Sequence, residues 1–202
     1  RDDVFETLLL RLFRGTGVDG LRGLNEKRSL GKGEIIRPFL NSSKSDLKIY
    51  IDENDLQYVE DDTNSNNDFD RNFLRNEIVP SLETRWSKLS ERAAFTSLTA
   101  KKKKLSLDFM LEKSFKKEIS SGIIERADFI EIPSFIIEEL IRLILRKKGI
   151  ALPNQKVLSE VMSVFFQKKP SNESYVEWSR KDGEQMGGKV FSEHNNIIFK
   201  KK

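Results

Sequence analysis

The chain has 202 residues, with 36 Lys and Arg against 32 Asp and Glu, a net charge of +4 and no cysteine. The missing cysteines exclude disulfides, thiolate metal ligands and a thiol nucleophile, and no apolar run approaches the ~18 residues of a membrane-spanning helix. The N-terminus lacks the basic-then-apolar layout of a secretory signal, so a cytoplasmic address is the expectation.

Residues 2–14 read as a helix. Asp2, Asp3 and Glu6 stand at its positive end, an apolar run from Leu8 to Phe13 follows, and Arg14-Gly15-Thr16-Gly17 closes it. The stretch 15–33, with Lys27, Arg28 and Lys32, reads as a loop, and Ile35-Ile36 as a short strand ended by Pro38. Ser43 or Ser45 can cap a helix to about Asn54, with Leu47, Tyr50 and Ile51 on one face. Gln57-Tyr58-Val59 reads as another strand, the acid- and Asn-rich 60–70 as a loop, and Arg71–Ile78 as a helix. This alternation predicts an α/β class for residues 1–82, the downstream half of a nucleotide-binding layer. A half-sheet of that kind exposes an edge and an apolar face, so either a partner chain such as a second copy (a homodimer) covers it or stability is poor.

From Leu82 to about Lys117 the pattern is helical, a linker domain over 83–120, and Ser120-Ser121-Gly122 marks a boundary. Residues 121–202 read as a small α+β domain. Ile123 to Ile132 is β-rich. Two amphipathic helices open at Pro133-Ser134 and Pro153-Asn154, the first stopped by Gly149. Strands are expected at Ser174–Trp178, Lys189–Phe191 and Asn196–Phe199, with turns at Lys181-Asp182-Gly183 and His194-Asn195-Asn196.

Charge is unevenly placed. Residues 1–80 hold 12 Lys and Arg against 16 acids, and residues 81–202 hold 24 against 16. A basic downstream portion suits a polyanion such as RNA, or is a basic but merely solvated surface. The same two readings apply to Lys101–Lys104. Asp2, Asp3 and Glu6 are helix N-terminal acids or a site. Arg71 and Arg75 are surface ion pairs with Asp61, Asp62 or Asp70, or part of that site. Asp61, Asp62, Asn64 and Asp68 lack the closing Glu of a calcium loop, His194 stands alone in a turn, and no metal site is expected. Tyr175, Trp178 and Phe191 read as core of a hairpin layer, with base stacking as the secondary reading.

Several motifs in order carry a resemblance. DDVFET and LLLRLFRGTG run into Val18-Asp19-Gly20-Leu21. Then come Ile35-Ile36-Arg37-Pro38-Phe39-Leu40, Tyr58 to Asn64, Arg71-Asn72-Phe73-Leu74-Arg75, and Pro80, Leu82 and Trp86. Over residues 1–90 this resembles the tRNA(Ile)-lysidine synthases, whose patterns are HxDDxxET, LLRLxRGTGxxGL, IIRPLL and WxEDxTNxxxxxxRNxLR. The helix–helix–hairpin ending is similar to that family's C-terminal substrate-binding domain. The resemblance implies an ATP- and Mg²⁺-dependent carbon–nitrogen ligase. It joins L-lysine to the wobble cytidine of the CAU anticodon of tRNA(Ile): the C2 oxygen is adenylated, a lysine amine attacks C2, and AMP leaves. It implies Asp3, Glu6 and Arg75 as catalytic residues and Arg14, Arg71 and Asn72 as substrate-binding ones. The family's SGGxDS ATP loop is not in this sequence and the first residue is Arg1, so no cofactor-binding residue is assigned and the chain reads as the downstream part of a longer protein. The alternative is a non-catalytic RNA-binding module.

Overall fold

A computed structural model describes residues 1–31, 33–59, 61–179 and 186–202. The chain mixes helix and sheet in two compact units, Arg1–Ser106 and Leu107–Lys202. The turn expected at Lys181-Asp182-Gly183 lies outside the described residues.

In the first unit, α1 (Asp2–Phe13) buries Val4, Phe5 and Leu8 on one face. Its first-turn acids do different work. Asp2 accepts from the Lys44 amide at 2.7 Å, at the start of α3 (Lys44–Glu53). There Ser43 and Asp46 form a reciprocal capping box, as the sequence suggested for Ser43. The stretch 15–33 expected to be loop holds a short helix, α2 (Val18–Leu21), and a strand, β1 (Lys27–Leu30), which pairs with β2 (Gly33–Ile36), the short strand expected at Ile35-Ile36. Arg11 donates to the carbonyls of Gly20 (2.7 Å) and Gly23 (2.9 Å), tying the glycine-rich turn to α1. Ser97, buried on α6 (Leu89–Ser114), donates to Leu21 at 3.0 Å.

Residues 57–59 form no strand, which corrects that expectation. Among the described residues of this unit the only strands are the antiparallel pair β1–β2, so no parallel layer is present there. The expected helix at 71–78 is one section of a longer run: α4 (Asp70–Phe73), a π-helical segment (Leu74–Ile78) and α5 (Val79–Glu83). Pro80 has no N–H and its ring crowds the carbonyl four residues back, so the preceding turn widens. The Val79 amide accordingly bonds Leu74.

The second unit is a four-stranded antiparallel sheet, ordered β3 (Ile123–Glu125), β6 (Asn196–Lys201), β5 (Gly188–Glu193), β4 (Tyr175–Trp178). One face packs on α8 (Ser134–Lys147) and α9 (Gln155–Met162). The core holds Ile124, Leu140, Ile144, Phe165, Ile197 and Phe199, all at most 2% exposed. Full burial of each is worth ~1.5–3 kcal/mol. The short α7 (Lys116–Ser121) ends on Gly122 at φ +72°, the left-handed conformation that glycine adopts without strain. His194 and Asn195, at φ +47° and +71°, make the β5–β6 turn where the sequence placed it. Trp178 is core as expected, its indole N–H donating to Ala151 at 2.6 Å, but Tyr175 is 58% exposed.

Candidate active site

Glu6 is the buried acid of α1, only 3% exposed. A carboxylate loses its hydration there and must recover it from donors. Arg75 binds it with both arms, Nε to Oε1 at 2.7 Å and Nη2 to Oε2 at 2.9 Å. Arg71, one turn earlier, gives Nε to Oε2 at 2.8 Å. Asp3, one turn back on α1, accepts from Arg71 at 2.9 Å and from Arg75 at 3.3 Å. Two acids three apart on one helix thus face two arginines four apart on another, the spacing that puts each pair on one face. The π-helical segment carries Arg75 within it. Hydrogen bonding to Glu6 holds the Arg75 guanidinium above its ordinary range, against the opposing effect of burial, with Asp3 and Asp2 adding to the first.

Asp3, Glu6 and Arg75 of this cluster line a cavity of about 480 Å³. Asp2, Asp3, Glu6 and Arg75 line it on one side, and Arg37 and Lys44 from the following turn and α3 bring further cationic residues. Phe39 and Leu47 supply apolar surface and Asn64 reaches the rim. Asn64 belongs to a loop held from the helix beside it. The Asn72 amide donates to the carbonyls of Thr63 (2.8 Å) and Asn66 (2.9 Å), and Asn76 to Asn64 (3.0 Å). Asp61 accepts from the Thr63 amide and hydroxyl, which lowers its carboxyl below the usual range.

Of the residues singled out by sequence, Asp3, Glu6, Arg71 and Arg75 come together. Asn72 turns to the loop, and Arg14 is exposed and paired with Asp70 at 2.7 Å, apart from the cavity lining. The sequence assigned no site role to Arg37, Lys44, Asn64 or Asn76. The IIRPFL and DDTN motifs were the available signal for Arg37 and Asn64, and Lys44 and Asn76 carried none.

Arg75 is already committed to Glu6 through both arms. Among the described residues no three or more His, Asp or Glu side chains converge to hold a metal. No step is therefore assigned to ATP or Mg²⁺ on these residues.

Residues 1–82 match the PP-loop domain family, a class of ATP-using proteins. The chain is 34% identical over 160 residues to the tRNA(Ile)-lysidine synthase of Coxiella burnetii, an overlap of 79% of this chain and 36% of that protein. It is 32% identical over 182 residues to the enzyme of the same name from Buchnera aphidicola subsp. Schizaphis graminum, 87% of this chain and 40% of that one. To the Pseudomonas fluorescens enzyme it is 45% identical over 86 residues, 43% and 20%. The chain belongs to the tRNA(Ile)-lysidine synthase family, and it spans well under half the length of these relatives.

Proposed function

We propose that the chain serves in the ATP-dependent ligation of L-lysine to the wobble cytidine of tRNA(Ile), in the cytoplasm. The observation that carries this reading is the Asp3–Glu6–Arg71–Arg75 cluster, of which Asp3, Glu6 and Arg75 line a cavity that holds residues of both charges. Free lysine carries a carboxylate and two ammonium groups, so its site needs both signs a few ångströms apart. Arg37, beyond its 3.1 Å bond to Asn25, has N–H groups left for a carboxylate. Asp3, 57% exposed, is open to an ammonium group and to the proton that the amine sheds before attack. Glu6, saturated by guanidinium donors, fixes Arg75 so that its outer edge is a preorganised positive surface for charge developing on the activated cytidine. ATP, with Mg²⁺, supplies the activation of that cytidine in this chemistry. Arg71 and Asn72 support the arrangement, and Arg14 offers an exposed cation to the RNA. The proposed parse is a PP-loop portion over 1–82, a helical linker over 83–120 and a tRNA-binding domain over 121–202, in a chain that pairs with a second copy.

The test is binding of this chain to a CAU-anticodon tRNA(Ile) against elongator tRNA(Met), which shares the anticodon. Preference for tRNA(Ile) by tenfold or more (about 1.4 kcal/mol) is the expected result. Equal affinity would mean that the chain does not select its tRNA. A non-catalytic RNA-binding module is the second reading, favoured by the lysines of β5 and β6. Calorimetry with free lysine separates the two, since only the ligase reading requires lysine to bind.

A further inference from the structure

The sheet of the second unit has an outward face that the core does not use. Strand register places Ile123, Ile198, Phe191 and Tyr175 in one row across all four strands. At the ordinary spacing of strands this row is about 14 Å long. The next row in one direction is Lys200, Lys189 and Glu177, and in the other Glu125, Asn196 and Glu193. Lys189 Nζ rests 4.4 Å from the Tyr175 ring centroid and Lys200 Nζ 5.2 Å from that of Phe191. Glu177, the acid of the cationic row, is bonded to Lys202 at 3.0 Å. A shallow cavity of about 330 Å³ lies over Tyr175, Lys189, Phe191 and Lys200.

We propose that this face is a stacking platform for unpaired bases of single-stranded RNA, with Tyr175 and Phe191 beneath the bases and Lys189 and Lys200 on the phosphates. Aromatic rings on a sheet offer every base a π-face, and cations one row away meet the backbone. The ammonium groups that lie on the rings are a short side-chain rotation from a phosphate, so a base can take the ring as its phosphate takes the lysine. The acids Glu125 and Glu193 stand across the aromatic row from the cations, on the side where base edges rather than phosphates would point. A duplex fits poorly, because its bases are stacked inside. The inference deepens the tRNA reading and rests on it for the source of the RNA.

Fluorescein-labelled hexauridine, titrated with the full chain and followed by anisotropy, tests it against an RNA duplex of matched charge. The expected result is preference for the single strand, and a loss of about 5- to 150-fold for each of Tyr175→Ala and Phe191→Ala, the range of one stacked base. Tyr175→Phe should bind within about twofold of the parent, since the π-face is kept. Tyr175→Leu keeps apolar bulk on the sheet and should still lose affinity, which covers the case that the alanine variants fail to fold. Equal binding of duplex and single strand, or full affinity in folded Tyr175→Leu, overturns the platform. If hexauridine binds through Tyr175 while tRNA(Ile) and tRNA(Met) bind alike, the platform stands and the functional reading falls. Selection of tRNA(Ile) with hexauridine binding unchanged in the Leu variant gives the reverse.

Discussion

Glu6 has left water and exchanged its hydration for three guanidinium N–H bonds, so its side chain and those of Arg71 and Arg75 form one electrostatic unit. Removing the acid leaves the two cations with only the more exposed Asp3 between them. Glu6→Ala should lower the unfolding free energy by roughly 2–3 kcal/mol, read from urea denaturation. That is below the ~3–5 for a wholly buried pair because both arginines keep some water. Arg75→Ala should also cost stability, since Arg71 reaches only Oε2 and the buried Oε1 loses its donor. In the chain joined to an SGGxDS-bearing segment of a relative, Arg75→Ala should abolish lysine incorporation and leave tRNA affinity within about threefold, about 0.7 kcal/mol. Loss of both together would remove the assigned role.

At the scale of elements, local signals were legible in the sequence and long-range ones were not. The Ser43 cap and the helix from Asp2 follow from neighbours in the chain, and both formed. In the hairpin at 27–36, Ile35-Ile36 announced β2, but Lys-Arg-Ser-Leu has no alternating apolar pattern, so nothing local announced β1. Tyr58-Val59 has strand-forming residues but no strand beside it among the described residues, and strand propensity without a partner builds nothing. The four-residue spacing of Arg71 and Arg75 was readable, but their partners were not. Asp61, Asp62 and Asp70 were nearer in sequence, yet Asp70 went to Arg14, Asp61 to Thr63, and the arginines to α1. The capping box also sets a pH response. Bonds from the Ser43 hydroxyl and amide, and then Arg1, lower the Asp46 carboxyl below its ordinary range. A folded-state value below the unfolded one means that the stabilisation is present above the ordinary carboxylate range and is lost as pH falls through the depressed value. Protection of the α3 amides against hydrogen exchange should therefore hold from neutral pH to the ordinary carboxylate range and drop below it. In Asp46→Asn that acid-dependent step should be absent.

For the whole molecule the question is whether the basic excess of residues 81–202 holds RNA or only keeps the chain dispersed. Residues 107–202 carry 17 Lys and Arg against 14 acids, so much of the excess sits just before them, in the Lys101–Lys104 block of α6. Lys104 is buried, whereas Lys101, Lys102 and Lys103 point to solvent. Counterion release makes the two roles separable. Each phosphate neutralised adds about one unit to the slope of log affinity against log salt. With two to four such contacts, tRNA affinity should fall roughly 10- to 150-fold between about 50 and 200 mM salt. If the three exposed lysines are among the contacts, Lys101→Glu, Lys102→Glu and Lys103→Glu combined should flatten that slope by about three units. A solvated face would leave the slope unchanged and lower affinity only through the general field, an effect that fades at high salt. Affinity measured across salt, rather than at one concentration, therefore decides whether α6 lies against the nucleic acid.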